Sequence, residues 1–285
     1  MPGDKPPFAY TGKTALVTGA SSGLGAEFAR QLAARGSDLV LVARSEDRLA
    51  ALAEELRARH QVTVTTLPAD LSLPEDVGRV AAAAAATPVH VLVNNAGFGT
   101  YGSFAVLDAA REHEEVMVNV AAAVDLAHAV LPGMRARRAG GIITVASTIA
   151  FQPSPLQAVY GASKAFGLAF SEALWAESRG SGVRIVALCP GPTATGFLAS
   201  LGDQRATSSI VYRRTADPAS VVWAGLRGLD RDAMTVIPGL RNRFLAEGHR
   251  FLPRTVMARM ARRLLAPQSA AHRDQPQEAG HAARA

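Results

Sequence analysis

Cysteine is all but missing. Only Cys189 carries a thiol among 285 residues, so no internal disulfide can form and a disulfide-stapled secreted scaffold is excluded. Cys189 sits in the apolar run VRIVALCP, which reads as a packed core thiol in a reducing compartment. Lysine is nearly as scarce, with three residues against 27 arginines. Charged residues make up only 19% of the chain beside 48% hydrophobic ones, which excludes a disordered chain and supports a sizeable core. No run of about 18 apolar residues occurs, so no membrane-spanning helix is expected. The opening MPGDKPPFAY has prolines and an acid where a secretory signal needs an apolar stretch, and a cytoplasmic protein is expected. Histidines at 60, 90, 113, 128, 249, 272 and 281 form no ligand pattern with cysteine or acids, so no metal site is expected.

The net charge of +6 and the isoelectric point near 10.1 invite a nucleic-acid partner, but the charge is badly distributed for one. Residues 241–285 hold nine arginines and three acids, the whole of that excess. No recognition motif or aromatic-interleaved basic stretch accompanies them, so no nucleic-acid binding is expected.

Short β-branched runs alternate with long alanine- and leucine-rich segments. Strands are expected at 14–18, 38–43, 62–67, 89–95, 141–147, 183–189 and 233–238, and helices at about 23–35, 45–59, 74–86, 105–135 and 157–180. The strands are apolar almost throughout rather than alternating, as in a sheet covered by helices on both faces. The fold class is therefore α/β: a doubly wound, parallel (Rossmann) sheet of about seven strands. One domain is expected over 11–240, and a basic helical extension over 241–265, with helices at about 240–250 and 254–265. The polar stretch 266–285 lacks periodicity and is expected to be disordered. In the second helix Val256, Met257, Met260 and Leu264 fall on one face and Arg259, Arg262 and Arg263 mostly on the other. Two fates fit this pattern: packing on its own domain or a neighbouring subunit, or weak contact with an anionic membrane surface.

The first strand runs into Thr18-Gly19-Ala20-Ser21-Ser22-Gly23-Leu24-Gly25, which opens a helix. Glycines let the backbone turn sharply, admit a pyrophosphate and pack a helix on a strand, and the helix N-terminus offers N–H groups to the phosphates. The second strand ends in Val42-Ala43-Arg44. An acid there would accept from the 2′-hydroxyl of NAD; Arg44 instead suits the 2′-phosphate of NADP. Further on stands Tyr160-Gly-Ala-Ser-Lys164. With so few lysines, random placement gives roughly 0.04 such tyrosine–lysine matches. Side chains one turn apart share a helix face, and an ammonium beside a phenol favours the phenolate. Ser147, at the carboxyl end of the fifth strand, converges on the same place, where its hydroxyl can bond a substrate oxygen.

These pieces, with Asp70-Leu71, Asn94-Asn95-Ala96-Gly97, Asn119 and Pro190-Gly191-Pro192-Thr193, resemble the classical short-chain dehydrogenases/reductases over about residues 11–240. The resemblance implies an NADP(H)-dependent reductase of the ketoacyl or hydroxysteroid type, assembled as a homodimer or homotetramer. It places Asp70 and Leu71 at the adenine, Asn95, Ala96 and Gly97 along the cofactor, and Pro190, Gly191 and Thr193 at the nicotinamide. Asn119 completes a catalytic tetrad with Ser147, Tyr160 and Lys164, and the resemblance also makes Tyr160 and Lys164 cofactor-binding, Lys164 at the nicotinamide ribose. Ser22 stands where many NADP-preferring relatives carry a basic residue, which leaves the preference to Arg44. The expected substrate is a small apolar carbonyl or alcohol, acyl thioesters included, in a pocket of Phe98, Tyr101, Phe151, Pro153, Leu156, Phe197 and Leu198. Competing readings are an NAD-dependent dehydrogenase working toward the ketone, and a non-catalytic nucleotide sensor on the same fold.

Overall fold

The computed structural model describes residues 6–197, 201, 215–248 and 252–266. Seven strands, β1 Thr14–Thr18, β2 Asp38–Ala43, β3 Val64–Pro68, β4 Val89–Asn94, β5 Gly140–Val145, β6 Val183–Leu188 and β7 Thr235–Val236, pair in parallel in the order β3-β2-β1-β4-β5-β6-β7. The strand order reverses between β1 and β4, and a crevice opens there beyond the carboxyl ends of the strands.

The pleat sorts the apolar runs into two cores. Ala15, Val17, Val91 and Val93 face one side and Leu16 and Leu92 the other. On the first side lie α1 Gly23–Ala33, α2 Glu46–His60 and α7 Pro218–Asp230, which contribute Phe28, Leu32, Leu49, Leu56, Leu226 and Leu229. On the second, α3 Pro74–Ala86 and α5 Ala122–Ala136 contribute Val77, Val80, Leu126, Val130 and Met134. Each such side chain taken from water stabilises by about 1.5–3 kcal/mol. The continuous apolar character of the strands thus follows from helices on both faces.

The helix expected over 105–135 is interrupted. A 3₁₀ turn, Phe104–Val106, precedes α4 Ala109–Val116, which Asp108 caps by accepting from the Ala110 N–H at 3.0 Å. A π-helical turn, Met117–Ala121, then joins α4 to α5. Such wide turns re-aim a side chain, and this one carries Asn119 into the interior. From Ala109 to Ala136 the helix is long and apolar enough, by length and composition, to cross a membrane. Here it packs on α3, β4 and β5 as a core helix, its apolar residues spaced by Glu114, Asp125 and His128 rather than forming one run.

Sequence periodicity missed α7 altogether, although Asp217 caps it, Pro218 opens it, and Val221, Val222, Leu226 and Leu229 line its buried side. At the edge, β7 is two residues long instead of the expected six, because Pro238 and Gly239 turn the chain away. Before β6 lies α6, Ala158–Glu177, and beyond β7 come α8 Leu240–Glu247 and α9 Arg254–Leu265. Leu198 and the tail from 267 lie outside the described residues.

Candidate active site

The glycine loop is built too tightly for side chains. A Cβ on Gly25 would lie 2.1 Å from the Gly19 carbonyl oxygen. Gly19 itself holds φ +65°, and a Cβ there would stand 2.9 Å from the Ala96 α-carbon. Thr18 ties the loop to the end of β4. Its Oγ1 donates to the Val93 carbonyl and accepts from the N–H groups of Asn95 and Ala96 at 3.0 and 2.9 Å. Asn95 Nδ2 donates back to the Thr18 carbonyl at 2.8 Å. Ser22, the N-cap of α1, makes no side-chain cap bond, and the first turn holds no acid, which suits the helix end to an anion.

At the end of β2, Arg44 Nη1 lies 3.7 Å from Asp70 Oδ2. Hydrogen bonds from the Ser72 N–H and hydroxyl, with Arg44 beside it, hold the Asp70 carboxyl below its ordinary range despite partial burial. Arg48, one turn into α2, lines the same wall. Its spacing from Arg44 was the available signal, and it gives a second cation where one was expected.

Ser147 caps a short 3₁₀ turn, Thr148–Phe151: its Oγ accepts from the Ile149 N–H at 3.2 Å and donates to the Pro190 carbonyl at 3.4 Å. Across from it, α6 presents Tyr160 and Lys164 one turn apart, both largely buried. The Lys164 ammonium donates to the Val145 carbonyl at 2.9 Å and stands 5.7 Å from the centre of the Tyr160 ring. Burial drives its pKa down to about 8. The Phe197 ring lies 5.1 Å from that of Tyr160. Asn119 links the parts from behind. Its Oδ1 accepts from the Phe98 N–H at 3.1 Å, and its Nδ2 donates to the Phe98 carbonyl at 2.9 Å and to Ser163 Oγ at 3.0 Å. Ser163 in turn donates to the Tyr160 carbonyl at 2.8 Å.

One cavity of about 1640 Å³ collects these groups, larger than the roughly 300–1,000 Å³ of a drug-sized site. Gly19, Ser21, Ser22, Gly23, Leu24, Arg44, Asp70, Leu71, Asn95, Ala96, Gly97, Ser147, Tyr160, Lys164, Pro190, Gly191 and Thr193 all line it. Gly25 and Asn119 stand behind the wall. A dinucleotide fits this cradle: tight glycines and a helix end for a diphosphate, cations for a further phosphate, and an acid at an adenosine position.

The expected apolar pocket is only partly realised. Phe98 and Phe197 line the cavity. Tyr101 and Leu156 instead form a small cluster with Leu201 and Phe197, and Phe151 packs beside Ala146, Leu168 and Cys189. The 3₁₀ turn rotates Phe151 away and presents Ile149 and Gln152 in its place, while Pro153 does not line the cavity. Burial pushes the Cys189 thiol up to about 12, consistent with an inert core thiol.

The remaining wall comes from the C-terminal helices. Leu245 of α8 and Met257, Met260, Ala261, Leu264 and Leu265 of α9 line the cavity. Of the expected apolar face of α9, Met257, Met260 and Leu264 turn to the cavity and Val256 does not; Met257, Ala261 and Leu265 are the buried positions, and Met260 and Leu264 stay 45 and 44% exposed. The 257–261–265 stripe, with a small residue in the middle, brings the helix close over the site. A hydrogen bond from the Tyr101 hydroxyl to the Leu265 carbonyl at 2.6 Å pins its last turn.

A dinucleotide cradle at the switch point of a parallel sheet, with a serine, a tyrosine and a lysine on its far wall, defines a class of nicotinamide-dependent proteins. The family model of the short chain dehydrogenases matches residues 13–206, and the chain belongs to that family. The "Inactive hydroxysteroid dehydrogenase-like protein 1" of Homo sapiens is 35% identical over 191 residues, 66% of this chain and 58% of that protein. The chain spans less than two thirds of the length of this and other curated relatives it matches. Among solved structures, a short-chain dehydrogenase from Sphingobium yanoikuyae in complex with NADPH aligns with a TM-score of 0.78 at 33% identity, covering 92% of this chain and 100% of that one. A bulky-bulky ketone specific alcohol dehydrogenase from Comamonas testosteroni aligns at 0.72, also with 33% identity, covering 87% and 93%.

Replacing Tyr101 by Phe deletes the hydrogen bond that anchors α9, a loss of about 1 kcal/mol. Amide hydrogen exchange should then show weaker protection across α9 and none of that change in β1 or α1. Unchanged protection in α9 would mean that its packing alone holds it.

Proposed function

We propose that the chain is an NADP(H)-dependent oxidoreductase that interconverts an apolar ketone and its secondary alcohol. The observation that carries this is the gathering of Ser147, Tyr160 and Lys164 on one cavity whose other end is a dinucleotide cradle. The glycine loop and α1 would hold the diphosphate, Arg44 and Arg48 a 2′-phosphate, Asp70 and Leu71 the adenine. Asn95, Ala96, Gly97, Pro190, Gly191 and Thr193 would line the nicotinamide end. When bound, the nicotinamide supplies or accepts the hydride.

Tyr160 is the proton donor to the carbonyl oxygen, or the acceptor when the alcohol is oxidised. Lys164 favours the phenolate through its charge, and Ser147 polarises the oxygen by hydrogen bonding as charge develops. Asn119, bonded to both the Phe98 backbone and Ser163, fixes the wall on which Tyr160 rides. The apolar limb of Phe98, Ile149, Phe197, Leu245 and Met257 supports a bulky, greasy substrate, and the Comamonas testosteroni protein takes bulky ketones by its description. A cytoplasmic location and a homodimeric or homotetrameric assembly belong to the same proposal and do not enter the chemistry. The human relative described as inactive favours a second reading, nucleotide binding without turnover; here it would leave Ser147 and the Tyr160 hydroxyl, gathered on the same cavity, without a chemical use.

NADPH should bind more tightly than NADH by about 1.5–3 kcal/mol, the worth of one charged contact. Arg44→Ala, and more fully Arg44→Ala with Arg48→Ala, should erase that difference while leaving NADH binding nearly intact in a fluorescence titration. Equal affinity for the two in the unmodified protein contradicts the cofactor assignment.

Tyr160→Phe removes the hydroxyl that carries the transferable proton. NADPH oxidation with a diaryl ketone should fall by at least ~10²-fold, within the usual range for a lost general acid, with little change in NADPH affinity. Turnover near the original rate would place the acid elsewhere.

A further inference from the structure

Five apolar residues line the cavity and yet face outward. Phe244 and Leu245 of α8 are 79 and 61% exposed, Leu252 follows between the helices, and Met260 and Leu264 of α9 complete the set. Side chains that belong to a cavity and to the surface at once mark its mouth, so the apolar limb opens to solvent beside α8 and α9. Leu240 and Val256, both exposed, continue the same faces one turn earlier. Scattered apolar side chains on a surface are ordinary, but a convergent group around a cavity mouth marks an interaction site.

Helix geometry explains why these residues stay outside. α9 spends Met257, Ala261 and Leu265 on its own domain, where Tyr101 pins it. Val256, Met260 and Leu264 form a second stripe, about 100° round the helix from the first, and Arg263 and Arg259 lie on its far side. On α8, Leu240 and Phe244 stand opposite the buried Ala246. Residues 240–266 hold seven arginines and a single acid, Glu247, which Arg243 already pairs at 3.0 Å. The arginines of both helices are exposed, and Arg259, Arg262 and Arg263 take no part in lining the cavity.

We propose that this face of α8 and α9 docks reversibly on a membrane surface bearing anionic phospholipid, apolar rim in the acyl boundary and arginines among the headgroup phosphates. The cavity would then open toward the bilayer. A short helix with an apolar stripe beside a basic one suits such an interface, and the planar arginine fork matches phosphate. A second copy of the chain fits this face poorly, because a self-paired interface sets the same arginines against one another. That the bilayer is a reservoir for the apolar ketone rests on the oxidoreductase reading; the docking itself does not.

The test is co-sedimentation of the full chain with vesicles of phosphatidylcholine, alone or mixed with phosphatidylglycerol, at low and high salt. The unmodified protein should sediment with the mixed vesicles at low salt and be largely released by high salt or by leaving out the anionic lipid. Arg259→Gln with Arg263→Gln should lower partitioning by roughly fivefold for each arginine, with NADPH affinity unchanged. Phe244→Ser with Leu264→Ser keeps every charge and should also release the protein. All four positions are exposed, and melting checks that the variants fold.

Absence of sedimentation with anionic vesicles overturns the proposal. So does full binding by the Phe244→Ser, Leu264→Ser variant, which would reduce the contact to adsorption by charge. If light scattering shows that this variant loses subunits while vesicle binding is kept, a second copy covers the face and the proposal fails. Tyr160→Phe should sediment like the unmodified chain, so the fate of the oxidoreductase reading is read separately from that of the docking surface.

Discussion

The Lys164 ammonium is buried against the backbone carbonyl of Val145, and most of the site's construction serves to make that burial tolerable. A cation taken from water must recover its solvation from neighbours. The end of β5 supplies an oxygen and α6 fixes the side chain. Gly97 leaves room for all of this where any side chain would intrude. The π turn at Met117–Ala121 belongs to the same construction, because it carries Asn119, which is bonded to the Phe98 backbone and to Ser163.

Two cradles meet at the lysine. On one side the glycine loop, bound to β4 through Thr18 and Asn95, fits a dinucleotide. On the other the cavity widens into an apolar limb that the Rossmann domain does not close by itself. Residues of α8 and α9 complete it, with Asn242 of α8 crowded against Gly191 at the cofactor end. The basic C-terminal segment is therefore part of the site's wall.

The sheet was legible because its strands are buried on both faces, so apolar runs survive as runs and their spacing gives the βαβ repeat. Tyr160 and Lys164 were legible because lysine is rare in this chain, and Gly19, Gly23 and Gly25 because a strand precedes them. What stayed hidden depends on contacts between distant segments. The π turn has no local code, and Ala109–Val116 reads into Ala122–Ala136 as one amphipathic pattern. Phe151, Tyr101 and Leu156 are loop residues of the right chemistry, but a 3₁₀ turn and a left-handed φ of +68° at Leu156 decide which way they face. The carboxylates of Glu112 and Glu115 read as surface residues of a polar helix; only packing against α6 shows that they are buried. By contrast α7 carried its signals in full, in Asp217, Pro218 and the spacing of Val221, Val222, Leu226 and Leu229.

Because the account turns on a compact, deformable cation at this one buried position, Lys164→Arg tests it most directly. Arginine keeps the charge but brings a rigid planar fork of five donors and more volume, between Gly97 and the Val145 carbonyl. With folding verified by melting, the account predicts that this variant loses both tight NADPH binding and ketone turnover. A variant that folds and retains both would show that any cation near Tyr160 suffices, and would contradict it.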